Sequence, residues 1–257
     1  MISRYRISVN GVQMDSLDDN LLILDIKYNP PERTVLKFTT ANLNGCEMKD
    51  LKVIGRKIAV AFELHEYDTA KRNALCQKVN NWAAAGGTLI TNDRENQRLL
   101  NVFCEQYADI DSVKNWTDPL TVVFSTTYVA DWVSDTEVSK TLTGKNVTGN
   151  MTMDGNTGEA LVSVTATAQE AVTSIKLTAG SKTLELTGLT VANGQTIVVD
   201  YIKNRYLRIR ANGSDVMAKL KATSSDNLTA GCGKTTSIGV VSDGRVTAVF
   251  KARGCWR

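Results

Sequence analysis

The chain has 257 residues, 42% of them hydrophobic and 22% charged, with a formal net charge of +3. That length holds two domains of ordinary size, so small a charge demands no nucleic-acid partner, and one histidine beside five widely spaced cysteines offers no zinc pattern. Residues 1–140 carry 16 basic and 19 acidic side chains, and residues 141–257 carry 14 and 8, so a mildly acidic half precedes a basic one.

Residues 1–13 alternate polar and apolar without the continuous apolar run of a secretory leader. The run at 21–24 is too short to span a bilayer, so no membrane insertion is expected. An irregular stretch with Pro30-Pro31 leads to strict alternation over 57–65: Ile58, Val60, Phe62 and Leu64 point one way, Ala59, Ala61, Glu63 and His65 the other. Asp68 reads as the N-cap of a helix to about residue 85. Leu75, Val79, Trp82 and Ala83 repeat at i, i+4, i+7 and i+8 before Gly86-Gly87 stops the pattern. Strands at 88–91 and 99–107 flank the polar segment 92–98 as a hairpin, and a strand at 120–128 places Leu120, Val122, Phe124 and Tyr128 on one face. Cys76 and Cys104 lie in apolar patterns, which predicts buried free thiols and a reducing compartment.

The polar, Thr/Ser/Gly-rich stretch 135–150 is weakly periodic and reads as a linker between a domain at 1–134 and one at 151–257. Beyond it, strands are predicted at 161–168, 174–178, 183–187, 196–201, 206–210, 217–222, 237–241 and 245–253. Six Asn-Gly or Asp-Gly pairs, starting at Asn10, Asn44, Asp154, Asn193, Asn212 and Asp243, supply the positive φ angles of type I′ turns, and four of them follow residue 150. Short strands with turns about every 10 residues suit an antiparallel sandwich. The whole chain is therefore mainly β with one helix.

Catalytic equipment is missing from this pattern. The segment Gly231-Cys232-Gly233-Lys234-Thr235-Thr236 invites a phosphate loop, but that motif needs glycine where Leu228 stands. His65, the one candidate base, has no nucleophile motif beside it, and the acid pairs Asp18-Asp19 and Asp109/Asp111 lie in loop-like segments. No catalytic, cofactor-binding or metal-binding residue is assigned, and no enzymatic function is expected. The basic strand at 203–210, with Tyr201 and Tyr206 interleaved, has the composition of an anion-binding edge, although its alternation fits a sandwich strand with a charged outer face more simply. Arg208 and Arg210 on it, and Trp256, which has no core position by pattern, are the candidate partner-binding residues.

The order of elements carries a resemblance. The alternating strand, the helix ending in NNWAAAGGTL, the hairpin TNDRENQRLLNVFCEQY and the strand LTVVFSTTYVADW resemble the N-terminal domain of the distal tail proteins of long-tailed siphophages. The segments LTVANGQTIVVDYIKNRYLRIRANGS, LTAGCGKTTSIGV and GRVTAVFKARGCW resemble that family's galectin-like C-terminal sandwich. The resemblance implies a structural protein of the virion tail, assembled in the cytoplasm of the bacterial host. Six copies would form a ring joining the tail tube and tape-measure end to the tail-tip and receptor-binding proteins, with DNA passing through unbound. A different class, a carbohydrate-binding or adhesion module using the C-terminal sandwich, stays open beside it.

Overall fold

In a computed structural model of the chain, the structure describes residues 4–39, 46–94, 96–112, 118–126, 131–156, 158–202 and 206–256, with backbone alone for 33–39, 46–54 and 112. Asn44-Gly45 and Tyr128 lie outside the described residues. Among the described residues the architecture is mainly β, antiparallel, with one α-helix. Two compact units, Met1–Trp132 and Val133–Arg257, divide the chain.

The first unit contains β1 (Ile7–Val9), β2 (Val12–Gln13), β3 (Leu21–Tyr28), β4 (Glu32–Thr39), β5 (Cys46–Gly55), β6 (Lys57–Leu64), α1 (Thr69–Ala84), β7 (Gly87–Thr91), β8 (Gln97–Gln106) and β9 (Leu120–Thr126). Seven strands pair in the order β3-β6-β9-β8-β7-β1-β2, all antiparallel. Among the described residues β4 and β5 pair with each other alone, so the stretch after Pro30-Pro31 holds an antiparallel strand pair where an irregular segment was expected. The predicted alternation of β6 holds: Ile58, Val60, Phe62 and Leu64 are buried and the residues between them half-exposed. Leu120, Val122 and Phe124 of β9 are buried with them.

Helix α1 starts where its cap predicts. Asp68 Oδ1 accepts the amides of Ala70 at 2.9 Å and Lys71 at 3.0 Å, two donors that would otherwise have no partner in the helix. Leu75, Cys76, Val79, Trp82 and Ala83 form its buried face. The Trp82 ring meets Phe124 edge-on at 5.7 Å, and its N–H donates to Val12 O at 2.8 Å. Asn10 and Gly11, at φ 50° and 81°, form the expected turn between β1 and β2. The Asn10 amide also donates to Gly86 O at 2.6 Å and accepts from Thr88 N at 2.9 Å, which fastens that hairpin to the end of the helix.

The second unit contains the rest of β10 (Trp132–Thr152), then β11 (Glu159–Leu161), β12 (Ser163–Ala168), β13 (Val172–Ala179), β14 (Lys182–Val191), β15 (Thr196–Ile202), β16 (Tyr206–Ala211), β17 (Ser214–Asp215), β18 (Thr229–Gly231) and β19 (Thr235–Trp256). The stretch 135–150 is therefore strand, not linker. Its inward residues Val138, Leu142, Val147 and Met151 are sparse, and the inward parity changes from even to odd across Gly144, at φ +153°. That change erases the period-2 signal from the sequence. Residues 217–222, expected as a strand, instead begin with the 3-10 turn Met217–Lys219, whose first amide donates to Asp215 Oδ1 at 2.8 Å. The strands expected at 237–241 and 245–253 are one strand, β19.

β19 belongs to both layers of a sandwich. Its first part, to Ser242, pairs with β13, which pairs with β14. From Val246 it pairs with β12, followed by β15, β16 and β17. Ile175, Leu177, Leu184 and Val240 from one layer meet Val164, Val199, Ile209 and Phe250 from the other in a single core. The layers part at Asp243-Gly244, which is a corner inside the strand and has neither residue at positive φ. Asn212-Gly213 does form the expected hairpin turn, at φ 46° and 82°.

Asp243 ties the corner. It accepts the amides of Thr173 at 3.1 Å, Ser174 at 3.2 Å and Gly244 at 2.9 Å, and the Thr173 hydroxyl. Burial works to raise its pKa, but the Thr173 hydroxyl and the three amides outweigh that and hold it at about 2, below the ordinary 3.8. The depressed pKa makes its contribution present above about pH 4 and lost as pH falls from there toward 2. Because the carboxylate is exposed, the contribution is about 1 kcal/mol after allowance for screening. Urea unfolding between pH 2 and 5 checks this: Asp243→Asn should start lower by that amount at pH 5 and converge on the parent near pH 2.

Candidate interaction surface

Asp200 on β15 stands directly opposite Arg208 on β16. Arg208 donates to both carboxylate oxygens, Nε to Oδ1 at 2.7 Å and Nη2 to Oδ2 at 2.6 Å, and Arg210 Nη2 adds a third bond at 2.9 Å. The bond from Arg208, then the charges of both arginines, hold the Asp200 carboxyl below the usual carboxylate range. The Asp200 bond likewise raises Arg208. Two cations therefore share one anion, and the cluster keeps one positive charge toward solvent. The register that pairs Val164 with Val199 sets Ser163 beside Asp200. Ser163 faces Lys251, whose Nζ lies 2.9 Å from Glu137 Oε1. A charged band thus crosses the outer face of this layer.

The sequence-derived candidates do not all come together. Arg208 and Arg210 meet on Asp200, whereas Trp256 ends β19, which β15 and β12 separate from β16; it is half-buried there. The sequence reading passed over Asp200, although its offset of eight residues from Arg208 across a hairpin is the signal that pairs them. It also passed over Ile202, which lies opposite Tyr206 at the hairpin end, the two 45% and 52% exposed. Tyr201 points its hydroxyl at Leu228, accepting from its amide at 2.8 Å, and Phe250 is fully buried. Neither ring is offered to a sugar face.

The remaining candidates are taken up by the fold. The 231–234 segment is a turn between β18 and β19: Gly231 N donates to Thr236 Oγ1 at 3.1 Å and Gly233 N to Met153 O at 2.9 Å, so these amides are not free to cradle a phosphate. His65 Nε2 lies 2.9 Å from Glu63 Oε2. A cleft beside α1 mixes Asp18 and Glu66 with Lys71 and Lys78 around Leu75 and has no convergent catalytic set. Among the described residues no cluster of three or more metal-ligating side chains occurs, and no helix is long and apolar enough to cross a membrane.

No family model matches the sequence, and no curated protein matches it either. Solved structures do. The crystal structure of SPP1 Dit (gp 19.1), a paradigm of hub adsorption apparatus in Gram-positive-infecting phages, superposes with a TM-score of 0.69 at 14% identity, covering 97% of this chain and 98% of that one. The fold is that of SPP1 Dit. The match spans both units, so the Dit fold accounts for the sheet with its helix and for the sandwich together. The structure of the phage P2 baseplate in its activated conformation with Ca matches at 8% identity over 97% of each chain, with a TM-score of 0.47.

Proposed function

We propose that this protein is a structural component of a phage or prophage tail, the distal tail hub of a siphophage, working as a homohexameric ring between the tail tube and the tail tip. The observation that carries this reading is the match to SPP1 Dit over nearly the full length of both chains. The chain has no catalytic constellation among the described residues, which suits a protein whose work is contact. A closed ring would need two different complementary surfaces on each subunit. The band around Asp200 is the proposed contact for peripheral tail proteins.

Light-scattering mass on a size-exclusion column over a range of concentrations, with negative-stain images of the peak, tests the ring. A hexamer or paired hexamers with a central hole is the expected result; a strict monomer at every concentration overturns it. The contact face has its own test. Reversing Arg208 and Arg210 alone would leave Asp200 among like charges. The triple exchange Asp200→Arg with Arg208→Glu and Arg210→Glu keeps the ion triad and turns its net charge from +1 to −1. Capture of the neighbouring tail proteins should fall at least tenfold at low salt while circular dichroism and ring mass stay unchanged. Undiminished capture removes this face from the reading.

A further inference from the structure

Three stretches of the sandwich end side by side: 153–156, 231–233 and 254–256. Met153 bridges to Cys232, and Gly155 to Cys255. Four backbone bonds hold the seam: Gly233 N to Met153 O at 2.9 Å, Cys232 N to Gly158 O at 3.1 Å, Met153 N to Lys234 O at 3.2 Å and Asn156 N to Cys255 O at 3.3 Å. Packing is close enough that a Cβ on Gly254 would stand 2.4 Å from Asp154 O. At the centre Cys232 and Cys255 form a disulfide with Cα atoms 5.8 Å apart, the two residues 2% and 4% exposed. The apolar patterns around Cys76 and Cys104 predict buried free thiols and a reducing compartment. The structure leaves Cys76 and Cys104 free, the first buried and the second half-buried, and joins Cys232 to Cys255.

We propose that the Cys232–Cys255 pair is an oxidation latch on the last strand. Both are thiols while the chain folds in a reducing medium, and they close afterwards to fasten the end of β19 to the β18–β19 turn. The order of those two states rests on the tail-protein reading; the latch itself does not. The seam's four backbone bonds and the unit's continuous core close the sandwich without the disulfide. Closure uses a small-molecule disulfide such as oxidised glutathione. One thiolate attacks a sulfur of that disulfide and expels one small thiol; the second thiolate attacks the protein sulfur of the mixed disulfide and expels the other. One S–S bond breaks and one forms, and the two protein protons end on the two small thiols. Burial pushes the thiols of Cys76 and Cys104 up, which disfavours their thiolates. Because the latch sulfurs are themselves buried, each exchange waits on an opening of the strand end, so both closing and release are slow.

Closing a loop across a separation of 23 residues shifts the unfolding equilibrium by about a hundredfold. The test uses the full chain, kept under a phosphine reductant or incubated with oxidised glutathione, beside Cys232→Ser and Cys255→Ser. Alkylation after denaturation should label all five cysteines of the reduced chain and two fewer after oxidation. Reduced and oxidised chains should share one circular dichroism spectrum. The oxidised chain should unfold at higher denaturant by that hundredfold, a gain absent from either serine variant. Full labelling after oxidation, equal midpoints, or a reduced chain that is unfolded each overturns the latch. Ring mass is read separately: a monomer that still shows the latch shift overturns the tail reading and leaves the latch standing.

Discussion

Gly244→Ala is expected to destabilise the 133–257 unit by about 3–5 kcal/mol, the range reserved for substitutions that create a core or backbone clash. β19 leaves one layer after Ser242 and enters the other at Val246, so the strand passes over the start of β13 at this point. A Cβ on Gly244 would stand 2.2 Å from Ala171 O and 2.9 Å from Val172 Cγ2. A carbonyl oxygen cannot swing aside as a flexible side chain can. The amides of Thr173 and Ser174 are held on Asp243, so the segment carrying that oxygen is tied at the same corner. Gly244 is needed for space and not for its φ. Gly194→Ala separates the two causes: Gly194 sits at φ +81° with nothing within 4 Å of a Cβ, so it should lose only the left-handed conformational cost, about 1–2 kcal/mol. Urea unfolding followed by circular dichroism compares them, and equal losses would show that the corner yields.

That corner also marks where the sequence stopped being readable. Asp243-Gly244 carries the same two letters as a hairpin turn, and only the pairing of β19 on either side shows that the strand continues through it. Local rules worked where one face of an element is buried throughout. β6 alternates without interruption, and α1 announces both its cap at Asp68 and its buried stripe. They failed where the register changes inside an element. β3 begins Leu21-Leu22-Ile23-Leu24 and shifts register between Ile23 and Asp25, so its apolar residues read as a run and not as a strand. β10 hides for the same reason at Gly144. The charged cluster was half legible: Arg208 and Arg210 stood out by alternation, whereas their partner Asp200 became visible only once the hairpin fixed which residues oppose each other. The disulfide could not be read at all, because nothing in a separation of 23 residues tells a turn-to-strand contact from two unrelated positions.

In the first unit, Trp82→Ala is expected to cost about 3–5 kcal/mol, the usual loss for removing a large buried aromatic. Trp82 is 7% exposed and joins three elements: it lies on α1, meets Phe124 of β9 edge-on at 5.7 Å, and donates its N–H to Val12 O on β2. Trp82→Phe keeps a ring against Phe124 and gives up the bond to Val12, an exposed residue whose carbonyl water can serve. It should therefore cost about 1–2 kcal/mol. Combining Trp82→Ala with Phe124→Leu should return a coupling of about 0.5–1.5 kcal/mol, the excess expected of an edge-to-face pair over simple area burial. Because Trp82 faces inward while Lys71, Gln77, Lys78 and Asn81 face solvent from the same helix, the substitution loosens the helix without altering its outer side. Denaturant midpoints give the energies. Should the parent chain form the proposed ring, Trp82→Ala places the helix relative to it: if the ring mass persists under native conditions, the helix holds the sheet in shape and is not itself the ring contact, and if the mass falls to that of a monomer while the chain stays folded, closure depends on the hairpin and helix that Trp82 ties together.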